Sequence, residues 1–275
     1  MASPFDLISL SDLKSWLGVS GTEDDTLLAQ LITQISRTTL SFIDRATILP
    51  RLYTETYDGR NDVSLMLRQW PVTGVLSCLV DGLRIPAAPP LTVAAPAQAG
   101  YVLDTSAIEP PGSMQRLSLR GFLYTCGIQN VTVSYSAGYQ IANENAVVPM
   151  SPPYSVSALG PYGNWASDVS VAYTNGQLLQ SAQEVLAAGQ YSAANGTYTF
   201  SAADAGAAIL LTYGYIPSDL ASCCMEWTAE RYAYRSRIGQ QSKSLGGQET
   251  MAFIVKDIPG FVEAALSPYR RVIMP

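Results

Sequence analysis

The hydrophobic period changes twice along this chain, and each change marks where one kind of secondary structure gives way to another. Residues 22–45, TEDDTLLAQLITQISRTTLSFIDR, place Leu27, Leu28, Leu31, Ile32, Ile35, Thr39, Phe42 and Ile43 at helical spacing. Thr22 is positioned to cap that helix, and Glu23, Asp24 and Asp25 put negative charge where the helix dipole favours it. SLSDLKSWL, residues 9–17, predicts a short preceding helix capped by Ser9 or Ser11 and ended at Gly18. From Leu52 the period falls to two. YTETYDG, VSLMLRQWPV and VLSCLVDGLRI predict short strands with turns at Asp58-Gly59 and Asp81-Gly82. GYVLD, QRLSLRG and NVTVSYSAGY continue the β pattern around a Pro/Ala-rich loop at residues 86–99. After Pro217 the helical period returns in SDLASCCMEWTAERYAYRSR, where Ser218 is the expected cap and Ala221, Cys224, Met225, Thr228 and Tyr232 form one face. A polar loop, GQQSKSLGGQ, then leads to a last helix in IPGFVEAALSPYRR, begun by Pro259 and ended by Pro268.

Helices, then strands, then helices is an α+β order, because a doubly wound parallel sheet needs strands and helices in alternation. One phrase occurs twice: VTVSYSAGY leads to Pro149, and AILLTYGY leads to Pro217. Between them, residues 149–216 carry no Lys or Arg, only Asp168, Glu184 and Asp204 as charges, and two Asn-Gly hairpin signals. We expect N- and C-terminal helices around a small antiparallel β region, interrupted by an inserted all-β, sandwich-like domain. The expected division is 1–148, 149–216 and 217–275.

Composition narrows the function. The chain of 275 residues is 48% hydrophobic and 14% charged with net charge −6, and it contains no basic run of the kind that neutralises nucleic-acid phosphates. No stretch approaches the ~18 consecutive apolar residues of a membrane helix, and MASPFDLISLSDLK lacks the pattern of a secretory signal, so the expected compartment is a cytoplasm. There is no histidine, which removes His-containing metal sites, Ser-His and Cys-His pairs and the commonest general base. Cys78, Cys126, Cys223 and Cys224 show no C-x-x-C spacing and read as small buried thiols.

Four stretches resemble the head-tail connector, or adaptor, proteins of tailed bacteriophages. SLSDLKSWLGVSGTEDDTLLAQLITQISRTTLSFIDR is similar to the family's short helix, gap and long helix. TETYDG, LMLRQWPV and VLSCLVDG follow in the family's order. VTVSYSAGY is similar to the strand before its proline-started helix, and IPSDLASCCMEWTAERYAYR, SKSLGG and PGFVEAALSPYRR are similar to its C-terminal half. The resemblance covers roughly residues 5–140 and 215–272; the segment 149–216 departs from it and resembles small β modules of other phage structural proteins. It implies a virion structural protein without catalysis or cofactor. Such a protein forms a ring, commonly twelve-fold, that joins the portal to the head-closure or tail protein and helps retain packaged DNA without sequence-specific binding. It also implies assembly in the host cytoplasm and a C-terminal region that reaches toward the portal.

The candidate contact residues are Arg231, Tyr232, Arg235, Arg237 and Lys243, followed by Tyr269, Arg270, Arg271 and Ile273. Residues 217–275 hold seven Lys+Arg and six Asp+Glu, whereas residues 1–50 hold three and six, so in a ring a basic edge of one copy would meet an acidic edge of the next. The alternative for α-helical arginines is a solvated face with local pairs. Ser11 to Lys14 matches S-x-x-K but opens a helix and has no partner motif, and SKS lacks the glycine that a phosphate loop places before its lysine. Two other function classes stay open: a binding module in which the tyrosine-rich insert recognises a carbohydrate or host surface, and a hydrolase using paired carboxylates that come together only in three dimensions.

Overall fold

A computed structural model of the protein describes residues 5–89, 97–104, 114–184, 187–235, 242–245, 249–252 and 260–271. The chain is α+β, mostly antiparallel strands, and divides into two compact units: Met1–Thr47 with Pro217–Arg271, and a second centred on Ile48–Ile216.

In the first unit, α1 (Leu10–Leu17) is capped by Ser9, whose hydroxyl accepts the Asp12 N–H at 3.1 Å, and ends at Gly18 in the left-handed conformation. α2 (Asp25–Phe42) starts later than Thr22 predicts. Its N-cap is Asp24, whose side chain makes no capping bond because the carboxylate is taken by α3 (Ser218–Tyr234). Leu28, Ile32, Ile35 and Leu40 bury one side of α2. On α3, Pro217 occupies the N-cap and Ser218 is already helical, so the expected serine cap is displaced by one residue. The buried face of α3 adds Leu220, Cys223 and Trp227 to the predicted stripe, since this helix packs on both α2 and α4 (Gly260–Leu266). A 3-10 turn at Ser267–Tyr269 contains Pro268, and the Arg271 N–H returns to the Ile43 carbonyl at 2.9 Å.

The second unit runs β1 (Arg51–Gly59), β2 (Ser64–Met66), β3 (Val72–Val80), β4 (Leu83–Ile85), β5 (Gly100–Leu103), β6 (Arg116–Arg120) and β7 (Gly127–Ala137). It continues through β8 (Gln140–Val147), β9 (Ser155–Ser157), β10 (Gly163–Tyr173), β11 (Gln180–Ser181), β12 (Gln190–Ala194), β13 (Thr197–Phe200) and β14 (Ala208–Pro217). Four sheets result, ordered β1-β7-β3-β4, β2-β6-β5, β10-β14-β8 and β11-β12-β13-β9. Pairing is antiparallel wherever its register is defined, apart from the short β11-β12 contact. Alternation along β7 sends Val131, Val133 and Tyr135 into a core with Leu67, Cys78 and Leu117.

Two turn signals behave differently. Asp81-Gly82 makes the expected two-residue hairpin between β3 and β4, both residues at positive φ. Asp58-Gly59 lies inside β1 beside a bulge, where Gly59 meets the chain so closely that a Cβ would sit 1.8 Å from the Thr125 carbonyl oxygen. The predicted strand VSLMLRQWPV is broken after Met66, because the N–H groups of Arg68 and Gln69 go to the hydroxyls of Tyr57 and Tyr135 rather than to a ladder. SKSL, expected as loop, is β15 (Ser242–Leu245), paired with β16 (Glu249–Ala252) across a segment containing Gly246 and Gly247.

The twice-written phrase is a packing device. The Tyr139 and Tyr215 rings meet edge to face at 5.8 Å, and the Tyr215 N–H donates to the Tyr139 carbonyl. Both glycines approach the same short stretch: a Cβ on Gly138 would meet the Leu49 carbonyl carbon at 2.4 Å, and one on Gly214 would meet Pro50 Cδ at 2.6 Å. β8 pairs with β14 from Val147↔Ala208 to Gln140↔Gly214, and Val148 bonds to Gly206 and Ala207, so the segment between leaves and returns at adjacent backbone positions.

Candidate functional site

The acidic start of the chain and its basic later part meet within one molecule. Tyr232 and Arg235, near the end of α3, converge on Asp24: the phenol donates to Oδ2 at 2.5 Å and the guanidinium to Oδ1 at 2.9 Å, while Arg235 also lies over the Tyr232 ring at 4.7 Å. These bonds hold the Asp24 carboxyl below its usual range, Arg235 contributing most and Tyr232 next. Beside it, Lys14 of α1 pairs with Asp25 at 2.6 Å, which gives the S-x-x-K lysine a structural partner. At the other end of α2, Arg271 grips Asp44 through Nε and a terminal nitrogen at 3.2 and 3.1 Å, and Arg270 stands 5.8 Å from the Phe42 ring centre. The Tyr269 hydroxyl donates to Asp219 in the first turn of α3.

Of the sequence-derived contact residues, Tyr232, Arg235, Tyr269, Arg270 and Arg271 are therefore gathered around the helical unit. Arg231 is exposed on α3, and Lys243 stands opposite Met251 in the β15–β16 register. Arg237 and Ile273 lie outside the described residues. Arg235 pairs across to another helix instead of along its own, since the chain places Asp24 beside it at the helix start.

In the second unit Glu55 is the centre of one polar network. Tyr57 and Tyr135 each donate to its Oε2 at 2.5 Å, and the two hydroxyls in turn accept the N–H groups of Arg68 and Gln69. Burial first, and the neighbouring carboxylate with it, raises both phenol pKa values far above normal, so these groups stay protonated and act as donors. Their partners are loop backbone groups, which gives the network a structural task.

Sequence reasoning missed an apolar cleft of about 620 Å³ beside the β3–β4 hairpin. Val80, Ile85 and Phe122 contribute to its lining, and Val63, Leu83 and Leu123 border it while remaining 49%, 60% and 49% exposed. Asp81 is on its wall, where the Thr125 hydroxyl and then the Asn130 amide hold its carboxyl below the usual range. No local pattern marks it, because its lining comes from three separate segments of the chain.

Three cysteines are buried as expected; Cys126 is exposed because it sits just before β7 on a surface turn, its N–H held by Asn61. Among the described residues no three Cys, Asp or Glu side chains converge to hold a metal ion, and no helix is long and apolar enough to cross a membrane. No protein-family model and no curated protein matches the chain. Among solved structures it is similar to a chain of the neck of an empty GTA particle, computed with C6 symmetry, at 12% identity and a TM-score of 0.40 over 100% of this chain and 95% of that one.

Proposed function

We propose that this protein is a structural subunit of the neck of a tailed-phage particle, an adaptor that forms a ring on the portal and carries the head-closure or tail protein. The supporting observation is the union of α1 and α2 with α3 and α4 into one unit across the whole intervening β region, because the helical stretches that carry the resemblance fall in those four elements in the same order. Function on this reading resides in surfaces and symmetry. Arg231 and Arg270 stay exposed on the helical unit as contact candidates, and the β unit supplies the bulk. Ring formation by identical copies requires a head-to-tail interface in which two different surfaces of the chain meet.

Native mass spectrometry of the protein alone, and after mixing with the portal protein of the same particle, tests this. A ring or a portal-bound assembly is the expected result. A chain that stays monomeric at every concentration and never joins the portal removes the adaptor reading.

A further inference from the structure

We infer that the apolar cleft beside the β3–β4 hairpin receives residues 272–275 of a second copy of this chain. The inference rests on the ring reading above and names the two surfaces that such a ring joins.

The cleft has the size of sites that hold a small ligand or a few side chains, roughly 300–1,000 Å³. Three aliphatic side chains on its border are about half exposed at one place, which is a patch rather than scattered surface residues. Asp81 in the wall keeps its charge through its bonds to Thr125 and Asn130. Asp62, whose carboxylate accepts the Val63 and Ser64 N–H groups, adds a second negative group beside Val63. An occupant that fits is a short apolar segment led by positive charge.

The segment of this kind led by two adjacent cations is Arg270-Arg271 followed by Val272-Ile273-Met274-Pro275. The residue before its apolar part is anchored: the Arg271 N–H donates to the Ile43 carbonyl and its guanidinium to Asp44. Arg270 is exposed there and available for pairing with the acidic border of the neighbour's cleft. Cleft and segment are different surfaces of one chain, so their union is head-to-tail and propagates around a ring. This assigns Ile273 to a neighbouring copy and leaves contact with the portal to other surfaces.

The test uses the full chain and two variants, one lacking residues 272–275 and one with Leu123→Asp; Leu83→Asp serves as a second cleft variant should the first fail to fold. Sedimentation and native mass spectrometry read self-association, with circular dichroism confirming the fold. Each variant alone is expected to associate about thirtyfold or more weakly than the wild type, as for loss of a central apolar anchor. Mixing them restores a one-to-one pair, because one retains the cleft and the other the segment. Variants that assemble like the wild type, or a mixture that stays monomeric, overturn the inference while leaving the ring reading intact. A wild type that never self-associates sinks both. If deletion abolishes portal attachment and spares self-association, the segment belongs to the portal and the inference is wrong.

Discussion

The Tyr232 hydroxyl donates to the Asp24 carboxylate at 2.5 Å, joining the end of α3 to the start of α2 across 208 positions of sequence. With Arg235 on the same carboxylate, this contact adds a polar tie to the buried packing of α2 against α3. Its pH dependence follows from the lowered pKa of Asp24. A carboxyl depressed in the folded state contributes stability above its unfolded value, near 3.8, and loses that contribution as pH falls through the folded value. Asp24→Asn is therefore expected to melt below the wild type at neutral pH, and the difference should close below about pH 3.8. Melting curves across that range check it; a gap that persists in acid means the carboxylate charge is not responsible.

Thiol chemistry gives an independent check on the cores of both units. Burial raises Cys78, Cys223 and Cys224 to pKa values of about 11, while Cys126 is exposed. Native protein treated with iodoacetamide near pH 8 should take up one label rapidly, at Cys126, and four in denaturant. Peptide mass mapping reads the positions, and rapid native labelling of Cys224 would contradict the α2–α3 packing.

Where local chemistry decides, the sequence is a sufficient guide: Ser9 and Gly18 bound α1, Asp81-Gly82 makes its hairpin, and the apolar stripe of α2 faces inward. It fails where a distant group intervenes. Asp24 cannot be read as a latch without knowing that Arg235 arrives beside it, and Asp58-Gly59 reads as a turn until the Thr125 carbonyl is seen against Gly59. VSLMLRQWPV alternates well enough for a strand, yet two tyrosine hydroxyls from β1 and β7 claim its backbone donors. The charge asymmetry between the chain's ends was legible, but its use inside one molecule through Asp24 and Asp44 was not. The apolar cleft was least legible, since its border comes from three separate segments.

Tyr135→Phe should expose the worth of the Glu55 network. Removing the hydroxyl leaves the buried Gln69 N–H without its acceptor and Glu55 without one of its two phenol donors. The expected cost is about 1–3 kcal/mol, the usual range for a buried group left unsatisfied. Urea unfolding followed by fluorescence measures it. A change below a few tenths of a kcal/mol means that water replaces the hydroxyl.

The repeated phrase makes the most specific stability prediction, because its glycines are required for a reason that composition does not reveal. Gly138 has φ 142°, and an added Cβ would press on the Leu49 carbonyl carbon, which is backbone and has little room to yield. Gly176 has φ 88° in a hairpin turn, with nothing within 4 Å of the place an added methyl would occupy, so it isolates the conformational cost from the steric one. Gly176→Ala should cost about 1–2 kcal/mol, the penalty for an L-residue in left-handed backbone. Gly138→Ala should cost that plus about 1–3 kcal/mol of overpacking. Gly214→Ala, whose Cβ would meet Ser167 Oγ at 2.4 Å and Pro50 Cδ at 2.6 Å, should behave like the steric half alone. Equal unfolding midpoints for Gly138→Ala and Gly176→Ala would show that the two strand exits do not close on Leu49 and Pro50, and the paired exits would then be a coincidence of sequence.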